Sequence, residues 1–345
     1  MSYINRYGSK RSALDTTPYY TQAYSSFINT GGSWATATLP GCPPNVVADV
    51  LMVNNLDTFP QVGGVREVGS SLPRSFGLVK GEPGWHGASA RMYVNTNSSS
   101  QVQLVGVAGV TYVVLGWWTN VIYIEDSTII SIGSAVDNMW IHSNLISPNP
   151  WSGNPDSIYQ FALGNTNTAN MFMGVRRTSA GNDRRLDLPR CWTTANSSCN
   201  WRTFPCLSDG SGNVTFFQER GYDLSNGGTI RSLGYFEPHP QVTFVDAWLM
   251  GYYSMSTWTY RPEIAPGGTP GRVYELGIDH NSDPGLRIGL RERYSTTDRA
   301  FNVGGPYAIG EYGWDAAVNG EPGAEAYANG APARVVRYGY WQIAS

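Results

Sequence analysis

The sequence predicts an all-β protein built from three tandem antiparallel β-sandwich modules behind an amino-terminal arm. Three observations carry that reading: a segment repeated three times, short apolar runs at regular spacing, and a composition of turns and aromatics. The repeated segment is GVREVGSSLPRSF from Gly64, GVRRTSAGNDRRL from Gly174 and GLRERYSTTDRAF from Gly289. In each copy Gly, an aliphatic residue and Arg are followed by a second Arg and then by Phe or Leu, giving the pairs Arg66/Arg74, Arg176/Arg184 and Arg291/Arg299. Recurrence of a whole pattern at long intervals means one structural unit used repeatedly.

The copies extend in both directions. Upstream of each Gly runs a β-like stretch, Ala48–Val53, Ile158–Leu163 and Val273–Ile278, which is expected to end in a polar turn at Asn54-Asn55, Asn165-Thr166-Asn167 or Asp279-His280-Asn281. Downstream each copy closes on an aromatic strand with a glycine: Leu115-Gly116-Trp117-Trp118, Leu233-Gly234-Tyr235-Phe236 and Tyr338-Gly339-Tyr340-Trp341. These closures divide the chain into 1–119 (arm plus first repeat), 120–238 and 239–345, each long enough for its own core. Between them, runs such as Gln101–Val105, Thr111–Trp118, Val121–Ile124, Val214–Phe217 and Arg334–Tyr340 alternate in the pattern of an antiparallel sandwich or barrel, and the expected module is a jelly-roll-like sandwich. Asp209-Gly210 and Asn319-Gly320 stand at hairpin positions that ask for positive φ at both turn residues, and Asn97 with its Ser run fills that place in the first copy.

Composition supports the same class and excludes others. Forty Gly, 21 Pro and 12 Trp among 345 residues, with 14% charged, describe short strands joined by tight turns. A net charge of −3 argues against nucleic acid as a partner, since such proteins carry a basic stripe. The basic cluster Arg6, Lys10 and Arg11 lies in the polar arm, whose start lacks the apolar stretch of a secretory signal. No apolar run is long enough for a membrane-spanning helix, so no membrane insertion is expected. Cys191, Cys199 and Cys206 border an insertion in the second copy at spacings that fit no zinc pattern. Free thiols are the expectation there, with a Cys191–Cys199 disulfide as the alternative.

The search for catalytic groups returns little. His86, His142, His239 and His280 have no Cys, Ser or second His at a diagnostic spacing, and no phosphate loop or nucleophile elbow is present. Glu125-Asp126 and Glu321/Glu325 are carboxylate groupings a glycosidase could use, but such pairs are more often strand ends. Asp279, Asn281 and Asp283 alternate like the start of a calcium loop; Pro284 and Leu290 then occupy the positions of its required Gly and bidentate acid. No metal, cofactor or catalytic residue is expected.

Two signals remain. Each Arg pair is expected to sit on adjacent strands and share an acceptor inside its own module, because two like charges side by side repel. The alternative is a fork for an acidic glycan or a neighbouring subunit. The second signal is aromatic: Trp117, Trp118, Tyr252, Tyr253, Trp258 and Trp314 are adjacent or closely spaced, and strand alternation sends some of them away from their own core, as a sugar platform, a protein contact or a face covered by the next module.

Gly64-Val65-Arg66 with Leu115-Gly116-Trp117, Gly174-Val175-Arg176 with Leu233-Gly234-Tyr235, and Gly289-Leu290-Arg291 with Tyr338-Gly339-Tyr340 resemble modules of tailed-bacteriophage structural proteins, in particular tail-fibre and head-decoration components. The resemblance implies a non-enzymatic virion protein, assembled in the host cytoplasm, whose partners are other virion proteins, copies of itself or a host-surface glycan. The chain departs from a long fibre in lacking a coiled coil or collagen-like stalk. Two other readings stay open: an extracellular, multivalent carbohydrate-binding protein, and behind it a polysaccharide depolymerase.

Overall fold

The computed structural model describes residues 17–28, 32–54, 61–78, 89–106, 109–131, 139–143, 154–165, 171–188, 201–219, 228–268, 270–280, 287–302, 312–329 and 332–344. Among these residues there are 26 β-strands and no α-helix. The first eight are β1 (Tyr19–Ile28), β2 (Ala35–Thr38), β3 (Val47–Asn54), β4 (Gln61–Arg66), β5 (Ser75–Leu78), β6 (Ser89–Asn95), β7 (Gln101–Gly106) and β8 (Val110–Thr119). They pair into two sheets, ordered β1-β8-β3-β6 and β2-β7-β4-β5. Successive strands thus alternate between sheets at the start and return to pair with early ones at the end, which is the eight-strand jelly roll.

The same order occurs twice more. In the second group β9 (Tyr123–Glu125), β10 (Ile129–Ser131), β11 (Met139–His142), β12 (Ile158–Asn165), β13 (Met171–Arg177), β14 (Arg185–Leu188), β15 (Trp201–Leu207), β16 (Val214–Glu219) and β17 (Gly228–Phe236) form β10-β17-β12-β15, with β9 also on β17, and β11-β16-β13-β14. In the third, β18 (Val242–Val245), β19 (Leu249–Tyr253), β20 (Thr259–Tyr260), β21 (Arg272–His280), β22 (Arg287–Glu292), β23 (Ala300–Asn302), β24 (Tyr312–Asn319), β25 (Ala324–Ala328) and β26 (Ala333–Ile343) form β18-β26-β21-β24, with β19 also on β26, and β20-β25-β22-β23. These three groups are called modules below. Gly64, Gly174 and Gly289 lie on β4, β13 and β22, the corresponding strand of each.

Close approach explains the repeated glycines. A Cβ on Gly64, Gly174 or Gly289 would run into the backbone carbonyl of Arg74, Arg184 or Arg299, on the chain entering the adjacent strand. The closing glycines Gly116, Gly234 and Gly339 meet the carbonyls of Thr21, Ile124 and Val245 in the same way. Each module therefore needs glycine where an edge strand presses on its neighbour.

The central strands are buried along their whole length: every residue of β3 and β12 is buried, and all but the first of β21. One face of this sheet covers its own partner sheet and the other meets neighbouring modules. For that reason the opening residues of the expected polar turns are corrected, while Asn55, Thr166, Asn167 and Asn281 lie outside the described residues. Asn54, Asn165, Asp279 and His280 are strand residues, and the amides of Asn54 and Asn165 donate across the sandwich to the carbonyls of Leu78 (3.2 Å) and Leu188 (3.1 Å). The hairpin reading is also corrected. Asp209 and Gly210 do not form a two-residue turn with positive φ; the Asp209 carboxylate accepts from the amides of Ser211 and Asn213, and Gly212 takes the left-handed conformation. Asn97 builds the same loop with Ser100, while in the third module Gly323 rather than Asn319-Gly320 supplies the positive φ.

Candidate functional site at the module seams

The second Arg of each repeat locks one module to the next. Arg74, Arg184 and Arg299 are all fully buried. Arg74 donates to the carbonyl of Leu233 at 2.9 Å, Arg184 to that of Tyr338 at 2.8 Å, and Arg299 to that of Leu115 at 3.3 Å. The acceptors belong to the second, third and first modules respectively, so the locks run cyclically and close a ring. Each acceptor directly precedes the closing glycine, at a point where the pairing of β3 with β8, β12 with β17 and β21 with β26 slips by one residue. A bulged residue drops out of the ladder, which frees its carbonyl for another donor. The expectation of an acceptor shared by both arginines within one module is thereby corrected. The two guanidinium groups of each pair go to different places.

The three seams differ in counter-charge. Arg74 pairs with Glu125, opposite Gly234 on β9, and also donates to the Tyr93 carbonyl. Arg184 lies 3.0 Å from Asp246, close enough for an ion pair though not aligned as a hydrogen bond. Asp246 follows Val245, the partner of Tyr340, so it stands beside Gly339. At the third seam the residue opposite Gly116 is Gln22, and Arg299 has no ion pair within 4 Å among the described residues. Burial lowers the pKa of Arg299, and burial raises that of Glu125 despite the neighbouring Arg74.

An aromatic triad stands where the modules meet. Trp118, Phe236 and Trp341, each two residues beyond its closing glycine, have ring centroids 4.8 to 6.4 Å apart. Around it lies a buried polar network. Arg91 pairs with Asp49 of its own module (2.7 Å) and Glu275 of the third (2.6 Å); Glu275 also accepts from the Tyr93 hydroxyl and the Trp341 indole. Burial opposes the charge on Arg91, but these carboxylates outweigh it and raise its pKa. Arg202 of the second module is held by Asp279 (2.5 Å) and Asp315 (2.8 Å) of the third, and Asp279 also holds Arg334. Buried charges of this kind persist only when paired, and removing one partner strands the other. None of Asp49, Arg91, Arg202, Glu275 and Asp315 was visible as a site residue in the sequence, although Asp49, Gln160 and Glu275 share one place, opposite the closing glycine, because the partners that bind them lie on distant strands.

The first Arg of each pair does something local. Arg66, Arg176 and Arg291 stack over Trp34, Trp140 and Trp258 at 3.9 to 4.1 Å, and donate to the carbonyls of Leu72, Asn182 and Thr297. Trp34 and Trp140 went unnoticed in the sequence, where no common spacing links them to their arginines. Among the aromatics singled out there, Tyr252 is exposed and Trp117, Tyr253 and Trp258 are half-buried. As surface aromatics Trp118 and Trp314 are corrected, since neither touches solvent, while the cover over Trp118 is the expected one, a neighbouring module. Trp118 faces the other modules, and Trp314 points into the third module's core, donating to the Ile288 carbonyl at 3.2 Å.

The remaining candidates have structural employment. Glu125 serves the first seam, Asp126 caps the turn into β10, and Glu325 pairs with Arg291 at 2.8 Å. Asp279 is committed to two arginines; Asn281, Asp283 and Pro284 lie outside the described residues, as do Cys191, Cys199, His86 and the basic cluster of the arm. Cys206 is a buried free thiol whose pKa burial raises. No group of three or more metal-ligating side chains occurs among the described residues.

No family model and no curated protein matches the chain. Among solved structures it is similar to one from an archaeal virus described by its triple jelly roll fold and turret assembly, at 13% identity over 97% of this chain and 94% of that one, with a TM-score of 0.21. A Sulfolobus Turreted Icosahedral Virus structure is similar at 11% identity, 97% and 95% coverage and a TM-score of 0.22; one from the lipid-containing bacteriophage PM2 at 10%, 92% and 86%, and 0.14. At such TM-scores these likenesses carry no argument. The class of the protein, all-β with repeated jelly-roll sandwiches, rests on the strand order itself.

Proposed function

We propose that the chain is a non-enzymatic structural protein of a virion, a component that works by covering area and binding copies of itself or other virion proteins. The observation that carries this reading is the closed set of inter-module locks: the repeated residues that the sequence emphasises are spent on holding three jelly rolls to one another. Jelly rolls serve in both viral shells and lectins, so fold alone does not decide. What favours the shell is that the second arginine of every repeat is buried between modules rather than presented to a ligand. Unit boundaries near residues 119 and 238 follow the same reading. A decoration or tail-fibre position is a narrower form of it.

A second reading, multivalent glycan binding, is favoured by one observation: a half-buried Arg–Trp stack recurs on the outer sheet of each module. The two readings separate in one experiment. Purified chain is followed by light scattering and electron microscopy over rising concentration and salt, beside a glycan array. Ordered sheets or shells with no array signal support the virion reading. A persistent monomer that binds glycans and loses them on Trp34→Ala, Trp140→Ala and Trp258→Ala replaces it.

A further inference from the structure

The three modules share a turn just beyond the first arginine of each pair, and in the third module it carries two residues the others lack. The amides of Ser70, Ala180 and Ser295 donate to the carbonyls of Glu67, Arg177 and Glu292, so residues 67–70, 177–180 and 292–295 form the same four-residue turn. Its two central positions are Val68 and Gly69, Thr178 and Ser179, then Arg293 and Tyr294. In the third module the Arg293 guanidinium stacks on the rings of Tyr260 at 3.9 Å and Tyr294 at 4.4 Å. We propose that these two rings and the arginine between them are a binding site for a carboxylate-bearing saccharide.

Backbone strain is the first argument. Gly69 and Tyr294 both have positive φ, +84° and +65°. Glycine takes that conformation without steric cost, whereas a bulky side chain rarely does. Tyr294 is nevertheless 70% exposed, so no core packing offsets the strain. Strain of this kind gathers at ligand sites. Here it sets one face of the ring against Arg293 and leaves the rest open to solvent.

Charge is the second argument. Arg287, Arg291 and Arg293 follow one another along the outer face of β22 and its extension. The first two are paired, Arg287 with Asp298 and Arg291 with Glu325 at 2.8 Å. Arg293 has no carboxylate within 4 Å and no side-chain hydrogen bond among the described residues. Glu292, its neighbour in the chain, accepts a hydrogen bond from Asn319 instead.

Geometry selects the ligand. Tyr260 and Tyr294 make no ring contact with each other, so they flank the guanidinium on different sides and leave its edge as the way in. A planar carboxylate can lie in the plane of that edge and accept two parallel hydrogen bonds. The open face of Tyr294 beside it suits the apolar face of a sugar ring. An added peptide strand fits less well, because β20, the sheet edge here, has two residues with which to pair. The slot is built in advance: the Tyr260 hydroxyl accepts from the Gly267 amide at 2.7 Å, and the Arg293 amide donates to the Gly323 carbonyl at 2.7 Å. The inference rests neither on the virion reading nor on the recurring Arg–Trp stacks, since Arg293 belongs to neither.

The test is calorimetric titration of the full chain with tetragalacturonic acid and with sialyllactose, beside the methyl ester of the former and hexaglutamate. The expected result is one site per chain for at least one of the two acidic saccharides, weakened about ten-fold or more by Arg293→Gln. Esterification should weaken galacturonate binding in the same way. Tyr294→Gly should weaken binding while melting no lower than the parent, because glycine relieves the turn; a merely structural tyrosine would not give that combination. Arg185→Gln, at an exposed arginine of the second module, should bind like the parent. The proposal is overturned if neither saccharide binds, if Arg293→Gln binds like the parent, if Tyr294→Gly melts lower, or if hexaglutamate binds at least as tightly. Three equivalent sites per chain would overturn it in favour of the multivalent reading.

Discussion

The seam between the first and second modules and the seam between the third and first use the same lock with different surroundings. Arg74 sits between two carbonyls and a buried carboxylate, Glu125, and the chain itself crosses the seam. Among the described residues Arg299 has one carbonyl, at 3.3 Å, and a glutamine where the carboxylate would be. Apolar packing does not follow this difference. Leu51, Val53, Val113 and Leu115 of the first module join the third module's core, as Ala162, Trp201 and Leu233 of the second join the first's. The comparison separates two jobs that a buried arginine does at once. Area burial holds the modules together, and the charge pair fixes which carbonyl is reached.

Breaking the lock at each seam gives the largest expected effect. Arg74→Ala leaves Glu125 buried without its partner, a loss of about 3–5 kcal/mol in the unfolding of the adjoining modules. Arg299→Ala strands no carboxylate in direct contact among the described residues and should cost less than half as much. Urea midpoints of the two variants decide this; equal losses would mean that counter-charge is irrelevant to the seams.

Next in size is the glycine that lets the lock form. Gly174→Ala pushes a methyl group into the Arg184 carbonyl and should cost about 1–3 kcal/mol, the range for overpacking. Gly181→Ala, where an added Cβ meets nothing within 4 Å, should leave the melting temperature within a degree of the parent.

The third seam can also be completed. Gln22→Glu places a carboxylate opposite Gly116, where Glu125 and Asp246 stand in the other two, and should raise stability by about 1 kcal/mol at pH 7. The gain should vanish near pH 4 as the new carboxyl protonates, and it should be absent when Arg299 is Ala.

A smaller, pH-dependent effect belongs to the second seam. Burial pushes Asp187 on β14 up to about 6, against the pull of Arg334. The folded state then holds a proton that the unfolded chain releases near pH 4, so stability should fall as pH rises from about 4 to 6, by about 1 kcal/mol once partial solvent contact is allowed for. Asp187→Asn should flatten that slope. An unchanged slope would place the dependence on another group.

The strands of all three copies were legible in the sequence because alternation and turn residues are local signals. Ala48–Val53 became part of β3, and Val273–Ile278 part of β21, by those signals alone. Half of the site was legible as well: Gly64, Gly174 and Gly289 and the arginines beside them recur because each module must solve the same close approach. Their partners were not. Arg91 and Glu275 are 184 residues apart, Arg202 and Asp315 113, and no second copy repeats either pair.

What the sequence by itself determined is the repeated unit, its strand pattern and the glycines Gly64, Gly174 and Gly289, whose close contacts are with the nearby Arg74, Arg184 and Arg299. What only the tertiary structure decided is the direction of Arg74, Arg184 and Arg299 and the burial of Trp118. Alternation tells which side chains share a face of a strand, and it is silent on what covers that face. Here the second face of each central sheet meets another module rather than water, so an aromatic that points away from its own core is buried all the same, and an arginine expected to find its acceptor at home reaches a carbonyl freed by a bulge next door.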